Sequence, residues 1–176
     1  MIIKSLKQTA GFTLIELLVT VTIILLITGG GIAGFVNFND RQQIQTTVKD
    51  MQTMMRAAQI KARSGEGASD CLTSGSFTEG KLYGYQVTLA GTAMLMNRMC
   101  NENSGLPIAI ERTRKNVVDN VSITMSGPVT FLSLKGGANT GDGSPDVTVT
   151  VTGQYSGYVY VFNVTSGGEI TQGEFQ

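Results

Sequence analysis

The hydrophobic residues of this chain are concentrated in one unbroken run near the N-terminus. Residues 12–38 read FTLIELLVTVTIILLITGGGIAGFVNF, and Glu16 carries the only charge among them. A helix needs about 20 mostly apolar residues to cross the hydrocarbon core of a bilayer, so this run predicts a membrane-spanning helix. Lys4 and Lys7 precede it. Because basic residues favour the cytoplasmic side, we expect the rest of the chain to lie outside the cytoplasm.

Beyond this run the pattern changes to that of an amphipathic helix. Between residues 42 and 63, apolar side chains recur at spacings of three and four and so share one helix face. These residues are Ile44, Val48, Met51, Met55, Ala58 and Ala62. Ser64-Gly65 then supplies a stop signal. The sequence therefore predicts one helix from about Phe12 to Arg63, with a membrane-spanning part (12–38) followed by an amphipathic stem (39–64).

The remaining residues, 65–176, carry the alternation of β-strands. Val147, Val149 and Val151 alternate with threonines, which is the pattern of a half-buried strand. The expected strands are Leu82–Leu89, Ala93–Met99, Pro107–Glu111, Val117–Met125, Val129–Leu134, Val147–Thr152 and Tyr158–Val164. Glycine-rich pieces between them read as turns. We therefore predict an α+β fold, in which a mostly antiparallel β head packs against the stem.

Two features at the start of the apolar run separate it from commoner segments. A secretory signal is cleaved after its apolar core, whereas the small pair Ala10-Gly11 precedes this one. A plain membrane anchor explains the run but not Glu16, because a carboxylate inside a bilayer is costly and is read as functional by default. For Glu16 taken alone, an acid tolerated at the membrane interface is the alternative.

The segment GFTLIELLVTVTIILL, residues 11–26, closely resembles the N-terminus of type IV pilins and type II secretion pseudopilins. The resemblance covers residues 1–40 well and residues 41–64 in pattern only. It implies that residues 1–11 are a leader, and that a prepilin peptidase cuts between Gly11 and Phe12 and methylates the Phe12 amine. It further implies that Glu16 meets the α-amino group of Phe12 from a neighbouring subunit, where opposite charges attract strongly in a low dielectric.

The resemblance implies a structural subunit of a type II secretion pseudopilus or a type IV pilus. The number of short strands and the cysteine-containing segment 55–71 favour the minor subunits with a two-sheet head. The expected partners are other pilin or pseudopilin subunits, the prepilin peptidase, an inner-membrane assembly platform and, before assembly, membrane lipid. The expected location is a single-pass inner (cytoplasmic) membrane protein with its head outside the cytoplasm, and then the pilus or pseudopilus.

One departure from many pilins is the lack of a helix-kinking proline in the apolar run, where Gly29, Gly30, Gly31 and Gly34 cluster instead. Each glycine costs a helix interior about 1 kcal/mol relative to alanine. The cluster is either a soft point in the helix or a surface for close helix packing, as small residues provide in membranes.

Charge and residue inventory argue against catalysis. The formal charge is zero, and residues 65–176 hold 6 basic and 10 acidic groups, a net charge of −4. The chain has no histidine, which removes the commonest general base and metal ligand. We predict no enzymatic activity and no cofactor.

Three weaker features of the head remain. In an exported domain Cys71 and Cys100 suggest one disulfide, and two free thiols are the alternative. Asn139, Asp142 and Asp146 offer oxygens of the kind that calcium takes, and some major pseudopilins hold calcium in a comparable loop. The basic residues near 112–115 form a small cluster: they are Arg112, Arg114 and Lys115, with Arg98 expected nearby. A DNA-binding minor pilin is the alternative function, which the acidic head disfavours.

Overall fold

The computed structural model describes residues 11–73, 80–101, 106–134, 136–141 and 144–176. By its internal contacts the chain divides into two compact units, Met1–Phe38 and Asn39–Gln176. The first helix, α1 (Leu14–Ser64), runs through this division.

In the first unit, α1 begins at a side-chain cap. The Thr13 hydroxyl oxygen accepts a hydrogen bond of 3.3 Å from the backbone N–H of Glu16, which satisfies one of the free donors of the first helical turn. The hydroxyls of Thr20 and Thr22 donate to helix carbonyls three and four residues earlier, at 2.9 and 2.8 Å. These polar side chains are therefore satisfied within the helix, as a lipid environment requires.

The first part of α1 is long and apolar enough to span a membrane, and none of the spanning stretch is buried within the chain. Large apolar side chains such as Leu14 and Leu26 are 84% and 73% exposed. The helix continues through the glycine cluster, and a Cβ built on Gly29, Gly30 or Gly34 would meet nothing within 4 Å. These glycines are thus accommodated as helix residues, despite their cost in helix propensity.

In the second unit, the stem part of α1 lies against a short helix and two antiparallel sheets. The elements are α2 (Ala68–Thr73), β1 (Lys81–Ala90), β2 (Ala93–Asn101), β3 (Ile108–Asn116), β4 (Val121–Met125), β5 (Val129–Leu132), β6 (Ala138–Asn139), β7 (Asp146–Gly153), β8 (Val159–Thr165) and β9 (Glu174–Phe175). Within the described residues, one sheet has the order β3-β2-β1-β5-β6 and the other β4-β7-β8-β9. The predicted α+β fold with a mostly antiparallel head is confirmed.

A single hydrophobic core joins the stem to both sheets. Ile44, Met51 and Met55 are fully buried on the stem, at the spacing that the sequence predicts. The five-stranded sheet contributes Val87 and Phe131, and the four-stranded sheet contributes side chains of β7 and β8. These last residues are Val147, Val149, Val151, Phe162 and Val164. The alternation of β7 therefore buries its valines and leaves its threonines facing away, as expected of a strand with one covered face.

Two strand boundaries differ from the sequence prediction by more than two residues. The strand expected over Pro107–Glu111 extends to Asn116, because β2 offers a long antiparallel partner from Ala93 to Cys100. The strand expected to begin at Val117 begins at Val121 instead. A turn intervenes, in which the Val121 N–H donates to the carbonyl of Val118 at 3.1 Å.

The sequence prediction also lacks α2, β6 and β9. The strands β6 and β9 have two residues each, too few for an alternation to be detected. Their pairing with β5 and β8 is a tertiary contact, in which Phe175 lies opposite Tyr160 and Ala138 opposite Phe131.

The stem face should contribute strongly to the stability of the head. Replacing Met55, which is fully buried in the core, with alanine leaves a cavity, and we expect a loss of about 2–5 kcal/mol in the free energy of unfolding. Urea unfolding of a fragment with residues 39–176 measures this loss. Lys49→Ala, on the exposed face of the same helix, is the matched control and should change stability by less than about 0.5 kcal/mol. Equal effects of the two changes would contradict the packing described here.

Candidate processing and assembly site

The predicted cleavage and assembly residues lie at the start of α1 and are all exposed. Gly11, Phe12 and Thr13 precede the helix in non-helical backbone, so the bond between Gly11 and Phe12 lies outside the helical hydrogen-bond ladder. Phe12 is 82% exposed. A peptidase needs accessible backbone at the bond it cuts, and Gly11 and Phe12 are both exposed. The leader residues 1–10 lie outside the described residues.

Glu16 lies in the first turn of α1, one turn beyond the cap formed by Thr13. Its side chain is exposed among apolar neighbours, of which Ile15 and Leu17 are 66% and 61% exposed. Among the residues that the structure describes, none forms an ion pair with Glu16. Among those residues this carboxylate therefore has no ionic partner, and it lies among apolar side chains whose contact with water is unfavourable.

A family profile, the prokaryotic N-terminal methylation motif, matches residues 6–32. The chain carries the N-terminal signature of type IV pilins and pseudopilins. The match covers Gly11, Phe12 and Glu16, so the resemblance noted on the sequence is confirmed. Comparison with curated proteins and with solved structures gives no match.

The motif and the exposed apolar helix indicate the same kind of protein. They support a pilin-like structural protein that a prepilin peptidase processes, that is anchored in the inner membrane, and that later interacts with other pilin subunits. Proteins with this motif are generally not enzymes.

Near the C-terminal end of α1, the head contains a buried arginine. Arg98 on β2 is 9% exposed, and its Nη1 lies 2.5 Å from Oδ2 of Asp70 on α2. Its Nε donates to the hydroxyl of Tyr85 at 3.1 Å, and that hydroxyl donates to the carbonyl of Glu66 at 2.9 Å. A buried guanidinium is stable only when paired and hydrogen-bonded, so this arrangement fastens the turn after α1 and α2 to the sheet.

The disulfide between Cys71 and Cys100 is present and lies beside this arginine. Both cysteines are fully buried, and their Cα atoms are 5.7 Å apart. Cys71 follows Asp70 on α2, and Cys100 lies two residues after Arg98 on β2. The covalent bond and the ion pair therefore connect the same two elements.

The predicted basic cluster is smaller than the sequence suggests. Arg98 is buried with Asp70 and Tyr85 and adds nothing to an exposed patch. Lys115 pairs with Asp50 at 2.7 Å, and Nε of Arg114 donates to the side-chain oxygen of Asn116 at 3.1 Å. The side chain of Arg112 lies outside the part of the chain that the structure describes. The arrangement thus gives no support to the DNA-binding alternative.

The calcium candidates are only partly described. Asn139 uses both ends of its amide: Nδ2 donates to the Tyr83 hydroxyl at 3.3 Å, and Oδ1 accepts from the N–H of Gly141 at 3.0 Å. Asp146 begins β7, and Asp142 lies outside the described residues. Across the described ranges no group of three or more His, Cys, Asp or Glu residues could hold a metal ion. Calcium binding stays a prediction.

Asp40 is a residue that the sequence analysis missed. It is 2% exposed, and its Oδ2 accepts hydrogen bonds from the backbone N–H of Ser156, at 2.7 Å, and from the Ser156 hydroxyl. Gly153 makes room for it, because a Cβ there would lie 2.4 Å from Oδ2. A signal was available: Asp40 lies four residues before Ile44 and so extends the buried stripe of the stem, where an acid needs a partner.

The contact around Arg98 can be tested with two glycines that share a backbone conformation. Gly65 and Gly67 have φ of +66° and +70°, so alanine is strained at both. A Cβ on Gly67 would also lie 2.4 Å from Cζ of Arg98, whereas one on Gly65 would meet nothing within 4 Å. We expect Gly65→Ala to cost about 1–2 kcal/mol and Gly67→Ala about 1–3 kcal/mol more. Thermal unfolding of the 39–176 fragment measures both losses. Equal losses would show that the contact of Gly67 with Arg98 adds nothing to the cost of the substitution.

Loss of the disulfide should destabilise the head, because the unfolded chain then regains the entropy that closing the loop removes. The two cysteines are 29 residues apart, for which loop-closure entropy gives about 3–4 kcal/mol. We expect the double change Cys71→Ser and Cys100→Ser to lower the free energy of unfolding by this amount. Reduction of the unchanged fragment should have a similar effect and should leave the double variant unaffected. A double variant as stable as the oxidised protein would contradict this prediction.

Proposed function

We propose that this chain is a minor structural subunit of a type II secretion pseudopilus or a type IV pilus. In this proposal the leader, residues 1–11, is cut off after Gly11, Phe12 becomes the methylated N-terminus, and the subunit is assembled through the apolar part of α1. The observation that carries the proposal is Glu16, an exposed carboxylate with no ionic partner among the described residues, at the start of a helix long enough to span a membrane and within the methylation motif.

The apolar part of α1 requires a second phase to cover it. Its side chains are exposed in the single subunit, and their contact with water is unfavourable. Lipid covers them before assembly, and the same helices of neighbouring subunits replace the lipid in a filament core. Helices of this kind associate through packing and through polar groups that find partners.

Cleavage would create the partner that Glu16 lacks. The new α-amino group of Phe12 is positively charged, and N-methylation leaves it a protonated amine. In a filament core the amine of one subunit and the carboxylate of the next would each be a costly buried charge if alone, whereas together they attract. Because only one axial offset between subunits brings them together, the pair would also set the register of assembly.

Three observations support a head outside the cytoplasm and a minor subunit. The buried disulfide suits an oxidising compartment, and Lys4 and Lys7 lie on the other side of the apolar run. The head carries two separate antiparallel sheets, which is the arrangement that the resemblance to minor subunits implies.

Processing and assembly can be tested together in a host that supplies a matched prepilin peptidase and assembly platform. Mass spectrometry of the mature chain should find N-methyl-Phe12 at its N-terminus. Glu16→Ala should leave cleavage intact but lower filament yield about tenfold or more, because the Phe12 amine is left without a partner. Thr20→Ala, on the same exposed helix, is the control and should assemble normally. Retention of Met1, or normal filaments from Glu16→Ala, would overturn the proposal.

A further inference from the structure

The turn between β7 and β8 exposes two aromatic side chains. This turn, residues 154–158, is called the tyrosine turn below. Tyr155 is 65% exposed, and Tyr158 is 41% exposed, with its ring centre 6.4 Å from that of Phe175 in an edge-to-face arrangement. Exposed aromatic side chains close together on one turn can mark an interaction site.

Asp40 determines where the tyrosine turn lies. Ser156, at its centre, gives both its N–H and its hydroxyl to Oδ2 of Asp40. Asp40 follows Phe38, the last residue of the apolar run, by only two positions. If the run crosses the bilayer, the stem leaves the membrane at Asp40, and the turn that is bonded to Asp40 lies at the membrane surface.

The chemistry of the turn suits that position. A tyrosine has an apolar ring and a polar hydroxyl, and such side chains are enriched where one end meets acyl chains and the other meets water. Arg41, next to Asp40, is exposed, and its guanidinium lies 4.8 Å from the centre of the Phe175 ring. A long cationic side chain on an aromatic ring can extend to headgroup phosphates while its stem stays in apolar surroundings.

The charges near the turn are of both signs, because the exposed Glu174 is next to Phe175, on whose ring Arg41 lies. The Gln154 N–H donates to the carbonyl of Asn120 at 3.0 Å, and this contact brings the exposed Asp119 close to the turn. The negative charge of Asp119 opposes the positive charge of Arg41. The carboxylate of Asp40 is buried under Ser156. Burial of the tyrosine rings, rather than attraction between charges, is therefore the main driving force for any contact with a lipid surface.

We propose that the tyrosine turn docks on the headgroup layer of the membrane and so seats the head on the outer surface before assembly. The partner is a lipid surface, with Tyr155 and Tyr158 as the inserted side chains. The inference rests on the membrane-anchored state in the proposed function, but not on filament formation. It predicts contact in zwitterionic as well as anionic lipid.

The chain has no tryptophan, so single tryptophan variants give unambiguous fluorescence. The full-length chain would be reconstituted into phosphatidylcholine vesicles, with and without phosphatidylglycerol, whose acyl chains are brominated near the headgroup. Tyr155→Trp reports on the turn. Ile23→Trp reports on the spanning helix, where the native side chain is exposed. Tyr83→Trp is the control in the head. Tyr83 lies on β1 close to Tyr85, which contacts Glu66 just after the C-terminal end of α1.

We expect the Tyr155→Trp variant to lose emission in brominated vesicles and to emit at shorter wavelength than the Tyr83→Trp variant, in both lipid compositions. Quenching of Ile23→Trp together with Tyr155→Trp emission like that of Tyr83→Trp would overturn the docking and leave the anchor intact. Lack of quenching of Ile23→Trp would overturn the membrane anchor, and the docking with it. Tyr158→Trp repeats the measurement at the second ring, and its failure to be quenched would likewise contradict the docking.

Discussion

Nothing in the part of the chain that the structure describes buries the apolar side chains at the start of α1, and the proposed assembly depends on this. A helix that is apolar on all faces is not a stable object in water, so it must be covered by lipid or by copies of itself. Glu16 makes the two environments unequal. In lipid near the interface its charge is tolerated, whereas in a bundle of helices it needs a positive partner, which cleavage before Phe12 would supply.

In the second unit, by contrast, the chain itself buries the apolar face of the amphipathic stem. The stem contributes one buried face to a core shared with both sheets. Two polar arrangements act at its ends. Asp40 binds the turn after β7, and the Arg98 cluster with the disulfide binds the turn and short helix after Ser64. In both, a buried charged side chain bonds to groups from distant parts of the chain, so the contacts specify the arrangement of the stem on the sheets as well as stabilising it.

Several charged side chains of the head that the structure describes take part in structural contacts. Asp70 and Arg98 pair with each other, and Asp40 accepts hydrogen bonds from Ser156. Close to Asp40, the described residues expose two tyrosines and Arg41, side chains that suit an interface between apolar chains and water.

The sequence by itself determined the features that depend on local periodicity. The spanning run, the stripe of the stem and the alternation of β7 were all readable, because a helix repeats every 3.6 residues and a strand every two. The methylation motif was readable because its residues form a contiguous string. Tertiary structure alone decided that both faces of β2 are covered, so Arg98, although its strand neighbours the one with the basic cluster, is buried with Asp70 and Tyr85. It also decided the two-residue strands and the partner of Asp40, since Ser156 lies 116 residues away and no local pattern joins them.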